Sequence, residues 1–280
     1  MTVKIITDSS AGIPESTARE LDITVVPVPV CFGDSIYLDG IDITTEQFYQ
    51  KLVEDKVHPT TSVPTPPTFA QTYDEVAKKA DEIAVITISH KLSAIPEVAR
   101  QSLKLMKQKR CIKVIDSNWA LMAQGLIVIT AAKAAQDGAS LDQVMALTRN
   151  NMARTDIRIA FDTLEYLRRG GRIGRARAFL GSVLKINPIL CIKDGETYPV
   201  AREHSRSKAI EHLYNFASGY ARIEEMAISD ATTPDEADRL AEQLNPKFPA
   251  ERVYRTKVTP AVGVHVGPHV IAVAVLGDRE

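Results

Sequence analysis

The chain has 280 residues, with 34 Lys and Arg against 35 Asp and Glu, a formal charge of −1. That balance excludes the strong basic excess of a dedicated nucleic-acid binder. Hydrophobic residues at 45% and charged residues at 25% are the proportions of a soluble globular protein, long enough for two lobes and a core that needs no staples.

Apolar runs of strand length alternate with helical patterns along the whole chain. The N-terminus has no signal-peptide apolar region and runs straight into a strand, so a cytoplasmic protein is expected. Strands are predicted at residues 3–7, 23–31, 83–88, 112–115, 157–161, 189–192, 226–229, 253–257 and 270–276. Several are continuous β-branched runs, which suit a sheet covered on both faces. Between them, apolar residues at three-to-four spacing predict helices over 45–53, 69–79, 97–107, 119–136, 141–152, 209–219 and 234–243. Thr44-Thr45-Glu46-Gln47 reads as a capping box, and Ser140 and Thr233-Pro234 as further helix starts. Asp194-Gly195 suits the tight turn of a hairpin spanning 190–198. Residues 258–277 carry no Asp, Glu, Lys or Arg, which is membrane-spanning length. Pro260, Gly263, Gly267 and Pro268 break such a helix, so this stretch is expected to form two strands around a turn, without membrane insertion. The pattern is α/β, with mainly parallel sheets flanked by helices. A change of texture near residue 155 divides it into an N-terminal lobe, 1–155, and a C-terminal lobe, 156–280.

Cys31, Cys111 and Cys191 stand far apart without a CxxC, which argues against a disulfide framework or a zinc knuckle. GxSxG, Walker A and HExxH patterns do not occur. His265 and His269 are four apart, but Gly267-Pro268 between them denies the helix face a metal site needs. What stands out is hydroxyls at strand ends: Thr7-Asp8-Ser9-Ser10, Thr60-Thr61-Ser62, Ser89-His90-Lys91-Leu92-Ser93 and Asp116-Ser117. Ligands of open α/β sheets bind at the carboxyl ends of strands, where Ser and Thr also serve as plain helix caps. Five arginines, Arg168, Arg169, Arg172, Arg175 and Arg177, fall within ten residues. They fit a solvated helix C-terminus or a contact with phosphate or an acidic partner.

In order and spacing, these pieces together resemble the DegV family of fatty-acid-binding proteins. The resemblance rests on Thr7-Asp8-Ser9-Ser10, Thr61-Ser62-Val63-Pro64-Thr65-Pro66, Leu92-Ser93, the segment Leu164-Glu165-Tyr166-Leu167-Arg168-Arg169-Gly170-Gly171-Arg172-Ile173, Asn187-Pro188-Ile189-Leu190 and Gly263-Val264-His265-Val266-Gly267-Pro268. It implies a two-lobed α/β fold enclosing one long-chain fatty acid, such as palmitate, with the carboxylate in the cleft between lobes. It also implies presentation of that acid to a fatty-acid kinase for acyl-phosphate formation. Thr61, Ser62, Ser93 and His265 match the carboxylate contacts, and Arg169 and Arg202 the rim or kinase-facing positions. The resemblance calls for no catalytic residue, metal or cofactor.

Burying the tail releases ~0.8 kcal/mol per CH₂, roughly 10 kcal/mol gross for about sixteen carbons. The carboxylate opposes this unless several donors meet it. For the tail, residues 179–184 and the Ala-rich stretch after Trp119 are candidate walls. Ala94 stands where the family often has Gly, which restricts the backbone if a positive φ is required there. The competing readings are a hydrolase or phosphotransferase using Asp8, Asp116 and the arginines, and a regulatory interaction module using the arginine segment.

Overall fold

The structure is a computed structural model that describes residues 2–55, 57–180, 186–249 and 252–279. Strand β1 (Val3–Asp8) ends in a 3-10 turn over Ser9–Ala11, followed by helix α1 (Glu15–Glu20) and strand β2 (Ile23–Val26). The single strand expected over 23–31 is in fact two, because Pro27 and Pro29 lack the N–H that a continuous ladder needs. The second piece, β3 (Pro29–Phe32), pairs instead with β4 (Ser35–Leu38). Helix α2 (Thr45–Glu54) opens on the expected capping box: Thr44 Oγ1 accepts the Gln47 N–H at 3.2 Å and Gln47 accepts the Thr44 N–H at 2.9 Å. The short β5 (Thr60–Thr61) joins the other side of β3. Next come α3 (Pro66–Ala77), β6 (Glu82–Thr87), α4 (Ile95–Ser102), β7 (Cys111–Asp116), α5 (Leu121–Gln136) and α6 (Leu141–Arg154). The first main sheet, in the order β2-β1-β6-β7, is parallel throughout.

Beyond α6 the strands build a different sheet. They are β8 (Thr155–Ala160), β9 (Asn187–Lys193), β10 (Glu196–Glu203), β11 (Arg222–Asp230), β12 (Val253–Lys257) and β13 (Ile271–Asp278), in the order β10-β9-β8-β13-β11-β12. Helices α7 (Glu165–Arg169), α8 (Arg206–Ser218), α9 (Pro234–Leu244) and α10 (Pro260–Val266) connect them. Here the expectation of parallel strands holds for β11 and β12, while the other pairs run antiparallel. Connection length explains one of these pairs, β9 and β10. Asp194 and Gly195, at φ 51° and 81°, close a two-residue turn between β9 and β10, and so short a link admits only antiparallel neighbours.

Residues 258–277 also depart from two strands around a turn, since the first half is α10. Pro260 sits at the first helical position, where its missing N–H costs nothing. Packing then overrides the weak helix propensity of the valines and glycine that follow. Gly263 lies so near the Phe48 and Tyr49 rings that a β-carbon would stand 2.6 Å from Phe48.

Alternation on the second sheet defines the layers. Ala272, Ala274 and Leu276 of β13 join the core shared with the first sheet, while Ile271, Val273 and Val275 point to the outer core with Leu213 of α8 and Leu240 of α9. Helix α5 lies between the two sheets and is apolar around nearly its whole circumference, as a helix buried on all sides must be. Among the described residues no helix is long and apolar enough to cross a membrane.

Candidate functional site

The carboxyl ends of β1 and β6 carry a buried polar network. Asp8 accepts the N–H and hydroxyl of Ser10, the Ile88 N–H at 2.9 Å and Gln124 Nε2 at 3.2 Å. Burial raises its carboxyl above the ordinary range, against the pull of those donors. Asp39 takes the Ser9 hydroxyl at 2.7 Å and the Ala261 N–H at 3.1 Å, which ties the turn after β4 to the start of α10. The strand-end hydroxyls Thr7 and Ser9 are therefore scaffold: Thr7 donates to Ile86 O and Ser9 to Asp39.

Beside this network lies a cavity with an enclosed volume of about 90 Å³, open to solvent at its mouth. Val28, Ile88, Ile95 and Leu121, from the stretch that builds the first sheet, and Ile159, Phe161, Leu167 and Ile192, from the stretch that builds the second, line it. Ala261, Val262 and Val266 of α10 close the seam. Polar groups enter this aliphatic space at a few points only: Ser10, Thr61, Ser62, Ser93, Arg172, Thr197 and His265.

Four of these were expected from sequence, and the fold brings them together. Thr61 Oγ1 of β5 lies 3.1 Å from His265 Nε2 near the end of α10, across 204 residues of chain. Burial, then the charges of Arg172 and His58, push the imidazole down to about 4, so it is neutral at physiological pH. Ser93 lines the cavity and its hydroxyl accepts the Ile95 N–H at 3.4 Å. Ser62 stands exposed at the mouth, its backbone N–H bonded to Pro29 O at 3.0 Å. Ala94 sits at φ −79°, so the positive φ that would have excluded a side chain is not used.

Arg169 and Arg202 lie outside the cavity. Arg169 pairs with Glu165 at 2.6 Å, and Arg202 stacks on the Phe179 ring at 4.4 Å and donates to Ala178 O at 2.9 Å. Of the five clustered arginines, Arg172 is the one that reaches the cavity. It lines the cavity half-buried, its Nε donating to Leu92 O at 3.0 Å and its Nη1 to Gly170 O at 2.6 Å. Among the described residues it has no carboxylate partner. The signal was present in Gly170-Gly171. Gly171, at φ 70°, ends α7 in the left-handed conformation, and the Arg172 N–H caps Leu167 O at 3.0 Å. This helix-ending motif turns the chain, and Arg172 with it, back toward the seam.

Of the walls expected for the tail, Ala120 and Leu121 line the cavity. Phe179 packs against the core from a 3-10 turn over Gly174–Phe179 and Leu180 is exposed, while residues 181–184 lie outside the described residues. Neither Asp8 nor Asp116 lines the cavity. Asp116 instead holds His90, Oδ2 to Nδ1 at 2.6 Å, on the surface.

Two kinds of likeness bear on this arrangement. A DegV domain-containing protein of Streptomyces coelicolor is 34% identical over 279 residues, covering 98% of each chain. One from Clostridium acetobutylicum is 33% identical, covering 100% of this chain and 99% of its own. Among solved structures, a DegV family protein from Thermus thermophilus described for its fatty acid binding superposes with a TM-score of 0.91 at 29% identity, covering 99% of this chain and 100% of its own. DegV of Bacillus subtilis, described as a fatty acid binding protein, gives 0.89 at 26%, covering 99% of both. The family profile described as "Uncharacterised protein, DegV family" matches residues 2–278, and the chain accordingly belongs to the DegV family.

Proposed function

We propose that the protein binds one long-chain fatty acid in the cavity between its lobes and presents it to a fatty-acid kinase. Thr61, Ser62, Ser93 and His265 meet the carboxylate, Arg172 supplies its counter-charge, and the aliphatic walls take the chain. The observation that carries this reading is Arg172, a half-buried guanidinium in a mostly aliphatic cavity that, among the described residues, bonds only to carbonyls. A partly desolvated cation without a counter-ion is costly, and an anionic ligand removes that cost. The fatty acid binding described for the Thermus thermophilus and Bacillus subtilis proteins supports the same choice of ligand.

In this reading the lobes divide at residue 155, the protein is cytoplasmic, and it acts as a carrier rather than an enzyme. Arg169 and Arg202, both charged and away from the cavity, face the partner. Native mass spectrometry of protein purified from cells tests the ligand. One long acyl chain per protein is expected, and a stably folded, lipid-free protein that takes up no added palmitate refutes it. Presentation has its own test. Arg202→Ala should leave palmitate affinity within about threefold, less than the ~1.4 kcal/mol of a tenfold change, yet sharply reduce acyl-phosphate formation in a reconstituted kinase assay. Equal loss of both places Arg202 in the headgroup site instead.

A further inference from the structure

Thr61 Oγ1 and His265 Nε2 are within hydrogen-bond distance, and either atom can supply the proton. The other ring nitrogen decides which does. Nδ1 is buried without a hydrogen-bond partner. It lies against the α-carbon of Gly170 so closely that a β-carbon there would stand 2.2 Å from it. An N–H aimed at carbon is a buried donor left unmade, whereas a bare lone pair rests acceptably against an α-carbon hydrogen. The proton therefore belongs on Nε2, which donates it to Thr61 Oγ1. The Thr61 hydroxyl proton has no acceptor among the described residues, so it turns into the cavity. Ser93 already accepts the Ile95 N–H, which leaves its own proton free, and Arg172 carries only donors.

We infer that Gly170 fixes His265 as the Nε2–H tautomer, which makes Thr61 a donor toward the cavity and the headgroup site selective for an ionised carboxylate over a headgroup that only donates, such as an ammonium. The ligand in this inference rests on the fatty-acid reading above; the tautomer does not. The low protonation range of His265 agrees with it, since a second proton on the ring would have to sit on Nδ1.

The tautomer is read by nitrogen-15 NMR of the ligand-free full chain, with His265→Gln identifying the signal that disappears. A bare Nδ1 and a protonated Nε2 are expected, and a protonated Nδ1 overturns the inference. Selectivity is read by displacement of a fluorescent fatty acid, using palmitate and the alkylamine of equal length. The acid should bind at least ~tenfold tighter, and equal affinity overturns the selection. His265→Gln keeps an N–H near the Nε2 position, whereas His265→Met is of similar size without a donor. The glutamine variant should bind palmitate at least ~tenfold tighter than the methionine variant; equal losses overturn the role of that proton. If wild-type protein takes up no fatty acid, the proposed ligand and the selectivity fall together, and the tautomer stands or falls on the NMR alone.

Discussion

Thr61 and Ser93 each bring one hydroxyl to the cavity lining, from β5 and from the loop after β6, where the proposed function has them meet the carboxylate. Thr61→Ala or Ser93→Ala removes one hydrogen bond to a charged group, ~1.5–3 kcal/mol, or about one to two decades in affinity. Titration with a fluorescent fatty acid should show that loss with the unfolding midpoint unchanged, and wild-type affinity in both variants moves the headgroup elsewhere. Asp39 gives a prediction about stability. Burial lifts its carboxyl to about 6, opposed by the Ser9, Ala261 and Thr259 hydrogen bonds and helped by the charge of Asp8. The folded state thus holds the proton more tightly than the unfolded chain. The stability this group contributes is full below about pH 4 and is lost as pH rises through about 6, on the order of 3 kcal/mol for two units. Asp39→Asn keeps the shape without the ionisation, so urea denaturation should show it gaining on wild type between about pH 4 and pH 7. A variant with the wild-type pH slope assigns the effect to another group. Sequence placed Thr61, Ser62, Ser93 and His265 on strand and turn ends, but only the fold could tell the cavity-facing arginine from its neighbours. Arg168 and Arg169 pair with Glu165 on α7 while Arg172 lies beyond the glycine turn, and five arginines in a row of ten carry no such distinction in their order alone.

Among the elements, periodicity was most legible where solvent faced one side. The amphipathic α2 and α9 lie almost where spacing put them, whereas α10, buried along most of its length, alternates Val262, Val264 and Val266 like a strand. Burial on all sides removes the polar face that distinguishes a period of 3.6 from one of 2. The three-stranded sheet β4-β3-β5 was illegible for another reason: its strands are four residues or fewer, too short to show a period. Helix α5 yields a prediction whose sign runs against propensity. Gly125→Ala in an exposed helix would gain roughly 1 kcal/mol. Here the new β-carbon would stand 2.6 Å from Ala11 O and 2.7 Å from Met122 Sδ. Overpacking of that kind costs ~1–3 kcal/mol, so urea denaturation should find the variant less stable; a gain would mean that the turn at Ala11 yields freely.

Across the whole molecule, one continuous core runs from Ile5 and Val85 in the first sheet through Leu126 to Ile159 and Ala274 in the second. Shared packing of this extent couples the two sheets, so calorimetry should record a single unfolding transition, and two separable ones would refute the coupling. A ligand bound across the seam at a hundred times its dissociation constant should add ~2.7 kcal/mol to that one transition. The same architecture sets a condition on how the chain is made. Helix α5 ends at Gln136, but β11 and β13, which cover its second side, end at Asp230 and Asp278. At ~5–20 residues per second, the remaining chain takes roughly 7–30 s to emerge from the ribosome. Throughout that interval the nascent protein carries sixteen residues of almost unbroken apolar helix with half their cover not yet synthesised, which makes the incomplete chain, rather than the finished one, the species that needs protection from aggregation.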